Sequence, residues 1–196
     1  DLRELDRDSL HKNKNISPMR FKYFPLFLFF MIFFSCNNNE SPNIVLNTAS
    51  LISYVDPFIG TGGHGHTYPG ASMPFGMMQL SPDTRLDGWD GCSGYHYSDD
   101  EIYGFSHTHL SGTGVSDYGD ILLMPTNLAI LNNGANGEKG YKSKFSHKKE
   151  VAQPGYYQVH LEDTHIDVEL TVSKRSGIHK YIYPSSKNQV LILDLE

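Results

Sequence analysis

A chain of 196 residues with 39% hydrophobic and 12% aromatic content can bury one core beside a leader segment. Its formal net charge of -6, with no basic stripe after the leader, excludes a nucleic-acid partner. The two cysteines, Cys36 and Cys92, sit in unlike settings, one closing an apolar run and one in a glycine-rich stretch, which argues against a structural disulfide.

Residues 1–18 are charged, precede a plausible start at Met19 and read as upstream sequence outside the working protein. Residues 19–36 read as a lipoprotein signal peptide, helical through its apolar part. The basic stretch Met19 to Lys22 leads into an apolar run from Tyr23 to Phe34, then Ser35-Cys36. A run of about a dozen apolar residues is short for a membrane span, which needs about 20, and right for a signal-peptide core. Cys36 is the expected lipidation site; a short transmembrane anchor with a buried thiol is the alternative. This predicts an exported lipoprotein held to a membrane, in the periplasm or on the outer-membrane surface of a Gram-negative bacterium. Residues 37–50 are polar and read as a tether, followed by one domain over 51–196.

Strands are expected at Leu51–Val55, at Met77–Leu80 (ended by a turn at Ser81-Pro82-Asp83), at Ile102–Leu110, at Asp120–Met124 and at Leu128–Leu131. Beyond Gly140 the period of two is plain. Tyr157–Leu161 alternates, and Ile166, Val168, Leu170 and Val172 alternate with Asp167, Glu169 and Thr171, the mark of a strand with one buried side. Ile178–Tyr183 is a further strand, and the continuous apolar run Val190–Leu193 suits a fully buried one. Short strands separated by turns predict a mainly β fold, an antiparallel β-sandwich with long Gly-rich loops. The chain stops directly after that last strand, which reads as a truncated domain.

The stretch from Tyr54 to Tyr118 holds the only Trp, half of the histidines and most of the glycines. It offers few aliphatic side chains and reads as functional loops rather than core. Trp89, flanked by Gly88 and Asp90, suits sugar recognition: an indole face stacks on the C–H face of a pyranose while a carboxylate accepts from hydroxyls. A Trp that plugs the mouth of the sandwich is the competing explanation. His64-Gly65-His66 and His107-Thr108-His109 each place two imidazoles on one face if extended, a geometry for a metal, although bracing of glycine-rich loops explains them as well. The turn Gly60–Gly63 has neither a following helix nor a Lys to hold phosphate. Cys92 has no neighbouring base in sequence to form a thiolate and reads as a small residue lining a pocket. The many Asp residues leave paired-carboxylate chemistry open without picking out an acid.

VDPFIGTGGHGHTYPGASMPFGMMQLSPDT (55–84) and GWDGCSGYHYSDDEIYGFSHTHLSGTGVSDYGDILLMPT (88–126) closely resemble the N-terminal domain of glycoside hydrolase family 92. That family comprises bacterial exo-acting α-mannosidases, often α-1,2-specific, that trim mannose from N-glycans and mannan. The resemblance implies a β-sandwich that packs on a larger (α/α)6 barrel, with the sugar cleft between them, calcium as cofactor and inversion at the anomeric centre. In the family the barrel carries the acid, the base and the calcium ligands. This chain has no such barrel, so no catalytic residue and no metal ligand is carried onto it, and it is expected to be inactive alone. What carries over is one wall of the pocket: Trp89, Asp90, Gly91 and Cys92 as substrate-binding residues, with His64, His66, His107 and His109 bracing loops or the domain interface. The implied partners are an α-mannoside glycan, the missing barrel, and the membrane through Cys36. A non-catalytic carbohydrate-binding surface lipoprotein is the alternative, and a metal hydrolase built on the two His-x-His pairs is a third.

Overall fold

A computed structural model of the chain describes residues 51–185 and 188–195. The segments read from sequence as upstream residues, signal peptide with Cys36 and tether lie outside the described residues. Among the described residues, ten strands form two five-stranded antiparallel sheets. The first has the order β1 (Ala71–Ser72), β2 (Gln79–Asp83), β4 (Gly104–Ser106), β5 (Leu122–Thr126), β10 (Val190–Asp194). The second has the order β3 (Glu101–Ile102), β6 (Ser143–Gln153), β7 (Tyr156–Leu161), β8 (Ile166–Val172), β9 (Gly177–Ile182). Strands β1 and β2 lie across β7 and β8, so the expected antiparallel sandwich is what the chain forms.

The core follows from alternation on the inner faces. Leu80, Phe105, Met124 and Ile192 point inward from the first sheet, and Ile102, Val159, Leu161, Ile166, Val168 and Leu170 from the second. Each large apolar side chain fully buried there stabilises the fold by about 1.5–3 kcal/mol relative to exposure. The β8 strand has the bounds and the buried face expected of it, with Ile166, Val168 and Leu170 sealed from solvent.

Several expected elements are corrected. Leu51–Val55 is not a strand: Leu51 and Ile52 are helical and a turn follows, with Tyr54 N–H donating to the Leu51 carbonyl and Val55 N–H to the Ile52 carbonyl. Ser81-Pro82-Asp83 is not a turn but the body of β2, paired with Ser106, Phe105 and Gly104. Pro82 is tolerated because β1 pairs only with Gln79 and Leu80 and leaves Pro82 without a neighbour on that flank. The run from Ile102 to Leu110 is two strands, not one. The chain steps at Tyr103 from the second sheet to the first, so that both Ile102 and Phe105 are fully buried. Leu128–Leu131 is loop, with Leu131 almost fully exposed.

Strand β10 is not fully buried but an edge strand on β5, hiding Ile192 while Leu191 and Leu193 face out. The longest strand, β6, was not expected at all. Its run of Ser, Lys, His and Glu lacks a clean period because the register shifts between Phe145 and Glu150. The stretch from Tyr54 to Tyr118 is also more than loops, since it supplies Ala71, Leu80, Tyr95, Ile102 and Phe105 to the core.

Candidate functional site

Where β2 ends at Asp83, the chain enters a loop that returns at β3, and this loop carries the Trp89 segment. Its base is pinned by the Gly94 carbonyl, which accepts from the N–H groups of both Thr84 and Arg85 at 2.7 and 3.2 Å. Between these points Cys92 N–H donates to the Trp89 carbonyl and Gly94 N–H to the Gly91 carbonyl. The turn is tight enough that a Cβ on Gly91 would lie 2.5 Å from the Asp87 carbonyl oxygen and 2.6 Å from Arg85 Cβ. No side chain fits there.

The tight turn sends its residues to two sides. Gly91 and Cys92 face a cleft of about 400 Å³ lined also by Arg85, Asp117, Tyr118 and Asp194. Cys92 is buried, carries a free thiol and forms part of that wall. Trp89 and Asp90 do not line the cleft; they turn instead toward His66 and His64. Trp89 is 60% exposed, with the His66 ring meeting it edge-on at 4.9 Å. Gly114, at φ +70°, lies beneath the indole, where a Cβ would come within 2.4 Å of the six-membered ring.

Asp90 accepts from His64 Nδ1 at 2.5 Å, and this hydrogen bond holds its carboxyl below the usual carboxylate range. His66 is buried, at a left-handed φ of 54°, and its Nε2 stands 3.7 Å from the same carboxylate oxygen, beyond hydrogen-bond reach. The two His-x-His pairs therefore behave differently. His64 and His66 converge on Asp90. His107 and His109 diverge: His107 donates Nδ1–H to the Ile121 carbonyl at 2.7 Å and packs on His179. His109 is buried, donates Nδ1–H to the Gln79 carbonyl at 2.7 Å, and places Nε2 3.0 Å from Asp83 Oδ1.

Sequence reasoning missed the anchor of the cleft. Arg85 grips Asp99 in a bidentate pair, Nε to Oδ2 and Nη2 to Oδ1, both at 2.9 Å. Thr84 Oγ1 donates to the same carboxylate at 2.8 Å. His96 completes the cluster: Nε2–H donates to the Gly63 carbonyl at 3.1 Å, while Nδ1 accepts from Ser98 Oγ at 2.8 Å. The available signal was the bracketing of the Trp89 segment by Asp83-Thr84-Arg85 and Ser98-Asp99-Asp100, a cation and carboxylates on the two stems of one loop. A planar guanidinium fixed by a carboxylate on one edge is a donor array suited to hydroxyl-rich ligands.

Residues 54–196 match the family model described as the glycosyl hydrolase family 92 N-terminal domain. A family GH92 alpha-mannosidase from Bacteroides thetaiotaomicron, solved in complex with mannoimidazole, is 45% identical with a TM-score of 0.71. That match covers 74% of this chain and 20% of the mannosidase. An inverting family GH92 mannosidase from the same organism is 29% identical with a TM-score of 0.62, over 73% of this chain and 19% of its own. A protein of Arthroderma benhamiae named an uncharacterized secreted glycosidase is 30% identical over 161 residues, 74% of this chain and 20% of that protein. The chain thus spans about a fifth of the length of these relatives. With this family match and the two-sheet sandwich in agreement, the chain belongs to glycoside hydrolase family 92, as its N-terminal domain.

Proposed function

We propose that this domain supplies one wall of the sugar-binding cleft of an exported α-mannosidase that releases terminal mannose with inversion, α-1,2-linked mannose being the preferred substrate. The observation that carries the reading is the pairing of an exposed indole, Trp89, with a cleft edged by a fixed guanidinium, Arg85, on one short loop. The pyranose C–H face packs on Trp89, while Arg85, Asp90 and the loop backbone meet its hydroxyls. Cys92 and Gly91 keep the floor small. The mannoimidazole complex and the inverting mannosidase among the similar structures support the choice of mannose and of inversion.

The calcium implied by the family resemblance needs six to eight oxygen ligands. Among the described residues the one cluster of His, Cys, Asp or Glu ligand atoms is His64, His66 and Asp90, with a single carboxylate. Those residues do not fit calcium, so the reading assigns that ion, with the acid and the base, to the barrel domain of the whole enzyme. Export fits the relative named a secreted glycosidase, and Cys36 is the proposed point of lipid attachment. The test uses the full 196-residue chain. Mannoimidazole or methyl α-mannoside should shift Trp89 fluorescence, while an aryl α-mannoside is not hydrolysed. An equal response to glucosides, or hydrolysis by this chain alone, overturns the reading.

A further inference from the structure

His66 presents an unexplained cost. The side chain is 7% exposed, and its Nε2 is buried with no hydrogen-bond partner. A buried polar atom left unsatisfied costs about 1–3 kcal/mol, and native structures keep few of them. This nitrogen is aimed at a particular place. It lies 3.7 Å from Asp90 Oδ1, which is itself 2.5 Å from His64 Nδ1, and the three ligand atoms all fall within 4.8 Å of one another.

We propose that His64, His66 and Asp90 form a binding site for a divalent first-row transition metal of the zinc, cobalt or nickel kind. Two imidazole nitrogens and one carboxylate oxygen are the donor set such ions take, at about 2.0–2.2 Å each. Ligand atoms around a metal at that distance stand about 3.3 Å apart, so the 3.7 Å spacing needs little adjustment. The 2.5 Å spacing opens as the metal replaces the proton on His64 Nδ1. That proton passes to solvent from the imidazolium, or is exchanged for one on Nε2 in the neutral ring, so that Nδ1 of a neutral imidazole ligates. His64 is 78% exposed, which gives an entry path and leaves a coordination position for water. Once bound, the ion ties the loop of His64 to the loop of Asp90 and fixes His66, against which Trp89 rests.

Trp89 is the only tryptophan of the chain, so its fluorescence reports on this spot alone. The full chain, stripped with EDTA, is titrated with cobalt(II). Saturable quenching at one site per chain is expected, reversed by zinc and unaffected by millimolar calcium. His64→Ala and Asp90→Asn should each weaken the apparent affinity at least tenfold; His64 is exposed enough that its loss leaves the fold intact, as circular dichroism checks. Absence of saturable quenching, or affinity unchanged in both variants, overturns the proposal. The readout needs no sugar, so it stands or falls apart from the mannoside reading.

Discussion

Glu150 offers the sharpest test of how the site loop is held. Its side chain is fully buried, yet it lies on β6 among lysines and histidines. Three donors surround it: Tyr157 OH at 2.6 Å, Tyr95 OH at 3.1 Å and His147 Nδ1 at 2.6 Å. Burial, reinforced by the Glu150 charge, pushes both phenols well above their ordinary value, so they remain donors at any working pH. Glu150→Leu strands the two buried hydroxyls at about 1–3 kcal/mol each, which sums to about 4 kcal/mol at mid-range. For a domain of this size that lowers Tm by roughly 8–16 °C. His147 is partly exposed and can turn to water, but it stacks on Tyr97 at 4.2 Å, so the loop beyond Cys92 loosens too. Urea unfolding of the single variant and of the triple variant Glu150→Leu, Tyr95→Phe, Tyr157→Phe separates the causes. Deleting both phenols removes the unsatisfied hydroxyls, so the triple should regain at least half of the loss. A triple no more stable than the single variant refutes the reasoning.

Three further outcomes are expected. Burial, with His107 adding to it, lowers the pKa of His179 from its ordinary 6.5 to about 4. The unfolded chain binds a proton in that window and the folded chain does not, so His179 weakens stability as pH falls from 6.5 toward 4 and costs nothing above it. At about 1.4 kcal/mol per pH unit, discounted for partial exposure, the loss is about 2 kcal/mol; His179→Gln should flatten that part of an acid-unfolding curve, and an unchanged slope contradicts the assignment. Gly114→Ala combines a positive φ with a Cβ placed 2.4 Å from the indole, and should shift Trp89 emission while costing about 1–3 kcal/mol; an unmoved emission maximum counts against the contact. Arg85→Lys loses the bidentate grip on Asp99 and should weaken mannoside binding at least tenfold while Tm falls by only a few degrees, and an unchanged binding isotherm removes Arg85 from the site.

The strands that could be read from sequence are those whose two faces meet different media. In β8 the apolar and polar residues alternate without a break because one face is core and the other solvent, so period and burial agree residue by residue. Where tertiary context supplies the answer, local signals mislead. Pro82 reads as a turn residue and sits in a strand because β1 is only two residues long. Val190–Leu193 reads as doubly buried, whereas β10 has a strand on one side only. In β6 the phenols that hold Glu150 come from Tyr95, 55 residues away, and from Tyr157 on the next strand. Its one local partner, His147, is partly exposed and does not mark that carboxylate as buried.

The site divides along the same line. Trp89 stands out in sequence because a large apolar ring between glycines and acids has no cheap place in a core, and it is exposed. Arg85 does not stand out, since a lone arginine after a strand is ordinary until Asp99 is seen to clasp it. The turn at Gly91 is what would let the proposed recognition use both. It admits no Cβ, so it bends sharply enough to put Gly91 and Cys92 against the cleft while Trp89 and Asp90 turn toward His66 and His64, all within four residues. On the proposed reading, one loop thereby offers an apolar ring and cleft-lining polar groups to a pyranose, whose ring has one C–H face and an edge of hydroxyls. Were Gly91 replaced by Ala, the clash with the Asp87 carbonyl would open the turn and move Trp89 and the cleft-lining residues together. Loss of mannoside binding in a Gly91→Ala variant that keeps its sandwich circular dichroism is the expected result; full binding in that variant would mean that the two faces act separately.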